Sequence, residues 1–212
     1  MFHVKQSILF CCGFFILLGI GSCHTVQPSI GKSSGNLPVR ATESIAGEEN
    51  QVLEDVNLVR QDPRAFYSRY VRPYIQKHPE FTSYYTRSLR KELENSQPVP
   101  PLRISPTMQK TAAYQANDLQ RYQGQRLDHT SSNGMTFEDR MRRAGVGCAA
   151  ENLYSADRTT PMQMVLDLLV DFRVRSLGHR KNLLNPMYKS IGISLTHYSG
   201  GGTIMVQDFS CN

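Results

Sequence analysis

No block of basic residues interrupts this 212-residue chain, although 24 Lys and Arg outnumber 18 Asp and Glu for a formal charge of +6. The cations are scattered, and no nucleic-acid reading motif accompanies them, so nucleic acid is excluded as the partner. The charge suits only a mild, unspecific attraction to anionic surfaces. No apolar run reaches the roughly 20 residues that a membrane-spanning helix needs. There is no internal repeat, and Ser131 and Ser132 lack the glycine pattern of a nucleophile elbow, which removes serine hydrolases from consideration. Tryptophan is absent, and cysteine occurs five times. What is present is ordinary for a folded protein: 40% hydrophobic and 20% charged residues, far from the composition of disorder.

The first residues have the marks of an export signal. Lys5 supplies a positive charge, Ile8 to Ile20 is almost wholly apolar, and the small residues Gly21 and Ser22 lead into Cys23. The order Ile20-Gly21-Ser22-Cys23 is similar to a bacterial lipobox, which makes residues 1–22 a signal peptide and Cys23 the site of acylation. Cleavage near Ser22 without a lipid is the plainer alternative. Gln27 to Glu49 is rich in Ser, Gly and polar residues and has no hydrophobic period, so residues 23–49 read as a tether between anchor and domain. The product is expected to be exported and held at the cell envelope by its lipid. Cys11 and Cys12 fall within the signal, which leaves Cys148 and Cys211 to pair in an oxidising compartment or to stay as two buried thiols.

From Asn50 to Asn212 one domain is expected. Val52, Val56 and Val59 share a helical face, and Asp62-Pro63 restarts the chain as an N-cap followed by proline. Val71 to Pro101 reads as a peripheral excursion with a solvated helix over Arg87–Glu94. Ser105-Pro106 opens a helix whose small face, Ala112 and Ala116 with Met108 and Leu119, permits close packing. Further helices follow over Thr136–Ala144, stopped by Gly145, and from Thr160-Pro161, burying Met164, Val165, Leu168, Leu169 and Phe172. The period then becomes alternating. Ile191, Ile193 and Leu195, and after Gly200–Gly202 the residues Ile204, Val206 and Phe209, predict a C-terminal β-hairpin. Helices followed by strands indicate an α+β architecture.

Three polar positions stand in otherwise structural surroundings: His129 in "DHTSSNG", Glu151 in "AENL" and His179 in "GHRKNLLNPMYKSIGI". In this order and spacing, with "VNLVRQDPRAFY" before them and "VQDFS" at the end, they resemble the bacterial branch of the CAP superfamily (SCP-like extracellular proteins). The resemblance spans nearly the whole domain. It implies a three-layer α-β-α sandwich with a central, mainly antiparallel sheet and a cleft holding two histidines and two acids. His129 and His179 match the histidines and Glu151 one acid. Many relatives carry the second acid on a Trp-containing helix; this chain has no Trp, and Asp171, eight residues before His179, takes the place ahead of Asp167.

Two imidazoles with one or two waters form an open site for a divalent metal such as zinc, with His129 and His179 as ligands. Glu151 would orient a histidine or take a proton from bound water. The bland alternative is a metal-free cluster whose members satisfy one another. The leading expectation is therefore a binding module, rather than an enzyme, that takes a lipid, glycan or metal ion in its His/Glu cleft. A metal-dependent hydrolase using His129, His179 and Glu151 is the second reading, and a surface interaction protein with a vestigial cleft the third.

Overall fold

The computed structural model describes residues 39–81 and 83–212, with side chains from residue 45 onward. The signal segment, Cys23 and the tether up to residue 38 lie outside the described residues. Among those described, no helix is long and apolar enough to cross a membrane.

Helix α1 runs over Val39–Gln61 and buries Val52, Val56 and Val59. It starts before the boundary expected at Asn50. The reason lies in Ile45, which packs against the main core, and in Glu49, whose Oε1 accepts the Leu195 N–H at 2.9 Å. These residues cover a sheet edge, so a segment that reads as tether from its polarity belongs in part to the domain. Asp62 then accepts the Ala65 N–H and caps α2 (Pro63–Phe66), which passes through a π-helical turn (Tyr67–Val71) into α3 (Arg72–Lys77).

A 3-10 turn (Pro79–Phe81) precedes α4 (Tyr84–Asn95), opened by a reciprocal Ser83/Thr86 cap. This helix is not peripheral. Leu89 and Leu93 are wholly buried in the main core, so α4 is solvated on one face only. Its charged outer face hid a two-residue apolar stripe at i and i+4 spacing.

The sheet has the order β1-β3-β4-β2, from β1 (Arg103–Ile104), β2 (Ala149–Asp157), β3 (Ser190–Tyr198) and β4 (Gly202–Ser210). β1 pairs parallel with β3, and the other pairings are antiparallel. One face is covered by α5 (Pro106–Gln120), whose Ala112, Ala116 and Leu119 meet Leu153, Ile204 and Val206. The other face carries α1, α4, α7 (Pro161–Val170) and α8 (Gly178–Leu184) over a larger core. This is the expected three-layer α+β sandwich, and β3–β4 is the expected hairpin, turned through Gly200 and Gly201 at φ 90° and 85°.

Helix α5 lies so close to β3 that a Cβ on Gly192 would stand 2.1 Å from the Met108 carbonyl group. The short β1 covers only Ser190 and Ile191; beyond it the Gln109 side-chain amide binds both backbone groups of Ile193. Deep in the large core, Arg60 donates to the carbonyls of Pro100, Leu183, Asn185 and Tyr188, and burial draws its guanidinium down to about 10. Cys148 and Cys211, at the ends of β2 and β4, are joined by a disulfide with Cα atoms 5.7 Å apart.

Candidate functional site

The segment carrying His129 leaves α5 and is pinned back onto it. Gln115 donates to the Asp128 carbonyl and accepts from the Ser131 hydroxyl, while Asp118 receives both the amide and the hydroxyl of Ser132. Ser131 and Ser132 are thus turn residues, and the His129 loop is fixed from beneath. Helix α6 (Phe137–Arg143), capped by Thr136 and closed by Gly145 at φ 71°, sends Arg140 into the same place. Gln115, Asp118 and Arg140 are buried polar side chains that no local sequence pattern marks.

Glu151, in the outermost strand β2, is the centre of this group. His129 Nδ1 lies 2.7 Å from its Oε1, and Arg140 Nη2 donates to its Oε2 at 2.5 Å. Arg140 also binds the His129 carbonyl at 3.0 Å and the Ser131 hydroxyl at 3.2 Å. Both carboxylate oxygens are engaged, with 1% of the Glu151 side chain and 2% of that of Arg140 exposed. A buried carboxylate requires such a counter-charge, and that requirement was the signal by which Arg140 could have been sought in the sequence.

The second pair forms across the α7–α8 connection. Asp171 Oδ1 lies 2.7 Å from His179 Nδ1, and its Oδ2 accepts the backbone amides of His179 and Arg180 at 3.1 and 3.3 Å. Asp171, Arg173 and Leu177 all sit in the left-handed region, at φ 55°, 66° and 54°. Such non-glycine residues cost free energy and persist where their surroundings over-determine them. Here Asp171 ties the ring and the amides, and Arg180 caps the end of α7 by donating to the carbonyls of Leu169 and Val170.

An ionised carboxylate only accepts, so the ring nitrogen facing it must carry the proton. In both pairs Nδ1 is the N–H, so in the neutral ring Nε2 is the acceptor nitrogen. The pairs flank β2. Glu151 and Leu153 share the sheet face that α5 covers, whereas Asn152 and Tyr154 point to the other, as alternation requires. The Asn152 amide donates to the His179 carbonyl and to Gln207, and Asn182 donates to Asn152 and to the Glu151 carbonyl. His179 lines a small crevice with Asp171, Asp167, Phe172 and Tyr154.

Asp167, the acid ranked behind Asp171 in the sequence, has a different office. Its two oxygens accept the phenol O–H groups of Tyr74 and Tyr154. Burial pushes its carboxyl above the ordinary range, and the two phenols oppose that push. Among the described residues no three His, Cys, Asp or Glu side chains are grouped to hold a metal ion. His78 pairs with Glu80 and His197 with Glu48.

Comparison with known proteins places these features. The model of the CAP family, described as the cysteine-rich secretory protein family, matches residues 53–209. The uncharacterised protein YkwD of Bacillus subtilis is 31% identical over 111 residues, covering 51% of this chain and 39% of that one. An extracellular protein of Bacillus anthracis containing an SCP domain superposes with a TM-score of 0.51 at 19% identity, over 84% of this chain and 45% of its own. An outer surface protein of Borrelia burgdorferi gives 0.44 at 22% identity, over 64% and 93%. The chain thus spans less than half the length of the first two proteins. With a family match over the whole sandwich, the chain belongs to the cysteine-rich secretory protein (CAP) family.

Proposed function

We propose that this protein is an exported, envelope-anchored binding module whose ligand is recognised by the acceptor nitrogens of His129 and His179 beside β2. The observation that supports this most directly is the anchoring of each imidazole through Nδ1 to a buried carboxylate, which sets ring and tautomer in advance. A ligand suited to two such nitrogens donates hydrogen bonds, as glycan or lipid-headgroup hydroxyls do, or is a divalent metal. The anchored imidazole is also the usual outer arrangement of metal-binding histidines. Zinc would take such imidazole nitrogens as donors, with water completing the coordination. Bound there, the metal would supply Lewis acidity.

The same geometry weighs against a hydrolase. Glu151 is committed to His129 and Arg140, and a general base must reach the proton that it removes. The related proteins described as extracellular or outer-surface support export, and the order of residues before Cys23 supports a lipid anchor.

Zinc titration of the wild type and His179→Ala by calorimetry, alongside glycan and lipid-vesicle binding, tests the reading. Saturable binding of one of these, lost in His179→Ala while the fold is kept, is the expected result; no binding to any, or binding indifferent to His179, would sink it. Acylation is tested by labelling with a fatty-acid analogue, which should mark the wild type and not Cys23→Ser.

A further inference from the structure

Asp208 stands directly opposite Glu151 in the antiparallel β2–β4 ladder, so the two side chains project from the same sheet face as neighbours. Asp208 is wholly inaccessible to solvent, and neither of its carboxyl oxygens has a hydrogen bond of ordinary geometry among the described residues. The groups acting on it are Thr111 from α5, Glu151 from β2 and Arg140 from α6; its partner in β3 is Gly192, which brings no charge. Arg140 is already committed to Glu151 through Nη2. A second ionised carboxylate here would be buried beside a like charge with its oxygens unanswered, one of the costliest arrangements in a fold.

We propose that Asp208 is held as a neutral carboxylic acid at neutral pH, turning its O–H toward Glu151 and so positioning the carboxylate that orients His129. Burial and the adjacent Glu151 charge both raise its pKa, and the Thr111 hydroxyl and the Arg140 charge oppose them only in part. The cluster then holds one negative charge on Glu151 and one positive charge on Arg140, with Asp208 as a hydrogen-bond donor from β4 to β2. This inference does not depend on the identity of any ligand.

The sign of the pH effect follows. The unfolded chain releases the Asp208 proton near the ordinary carboxyl value, while the fold retains it, so folding takes up a proton and stability falls as pH rises from that value to the folded one. Asp208→Asn keeps the donor and removes the titration. Denaturation of the full chain across pH should show the variant equal to the wild type near pH 4. Above that, the ratio of its folding constant to that of the wild type should grow by about tenfold per pH unit until Asp208 ionises in the fold. A ratio below one at pH 7, the result expected of an ionised partner of Arg140, or a ratio that does not move with pH, would overturn the proposal. Carbon NMR of labelled aspartate carboxyls in the folded wild type at pH 7 gives a reading that does not rely on the variant. One resonance should have the shift of a neutral acid and vanish in Asp208→Asn, and its absence would equally overturn the assignment.

Discussion

Asp171 holds His179 twice, one carboxylate oxygen on the ring Nδ1 and the other on the backbone amide. In Asp171→Asn the amide of His179 still needs an acceptor, so the new carbonyl oxygen is drawn to it and the new NH₂ is left facing the ring. A donor there forces Nδ1 to accept and moves the ring proton to Nε2. Nitrogen NMR of the imidazole should therefore show the tautomer inverted, with ligand binding at His179 lost and the fold largely kept. An unchanged tautomer would refute this account of the pair.

Arg140→Met should cost about 3–5 kcal/mol in chemical denaturation, because it strands the Glu151 charge inside the protein. Adding Glu151→Gln removes the stranded charge, so the double variant should regain a large part of that loss. Additive losses would mean that the two residues are not a unit.

Gly192→Ala tests how tightly α5 is seated. The new methyl would fall on the Met108 backbone, which cannot rotate away as a side chain could. The helix must lift from β3, with a loss of about 3 kcal/mol or more in denaturant unfolding. A variant as stable as the wild type would show the contact to be loose.

Tyr74→Phe deletes one of the two phenols that hold the Asp167 carboxyl down against the effect of burial. Asp167 should titrate higher than in the wild type, as read by carbon NMR. Because its folded value already exceeds the unfolded one, stability falls as pH climbs between the two. The substitution extends that fall to higher pH, so the variant should differ from the wild type more at pH 7 than at pH 4.

Much of this architecture was legible because local signals agreed with the global arrangement. Ser105-Pro106, Thr160-Pro161 and the Thr136/Gly145 bracket are side-chain chemistry that acts within one turn, and each opens or closes the helix it announced. The alternation through Ile191, Ile193 and Leu195 reads directly as strand. Helix α4 reads as solvated because its composition is dominated by the exposed side, and the part played by Glu49 has no local signal because it acts through a contact 146 residues away. At the site, His129, Glu151, Asp171 and His179 stood out as polar residues in structural surroundings. Their pairing, and the roles of Arg140 and Asp208, depend on which residues face one another across the β2–β4 ladder and from α6, and no local pattern carries that information.

Arg60 has a bearing on how the chain comes together. Its guanidinium belongs to the first helix, yet three of the four carbonyls it gathers come from residues 183, 185 and 188. Until that late segment has been made, an arginine destined for the interior has few partners there and every reason to stay in water. Arg60 is therefore satisfied only when residues 183–188 are in place, which ties the burial of the first helix to the segment just ahead of the C-terminal hairpin.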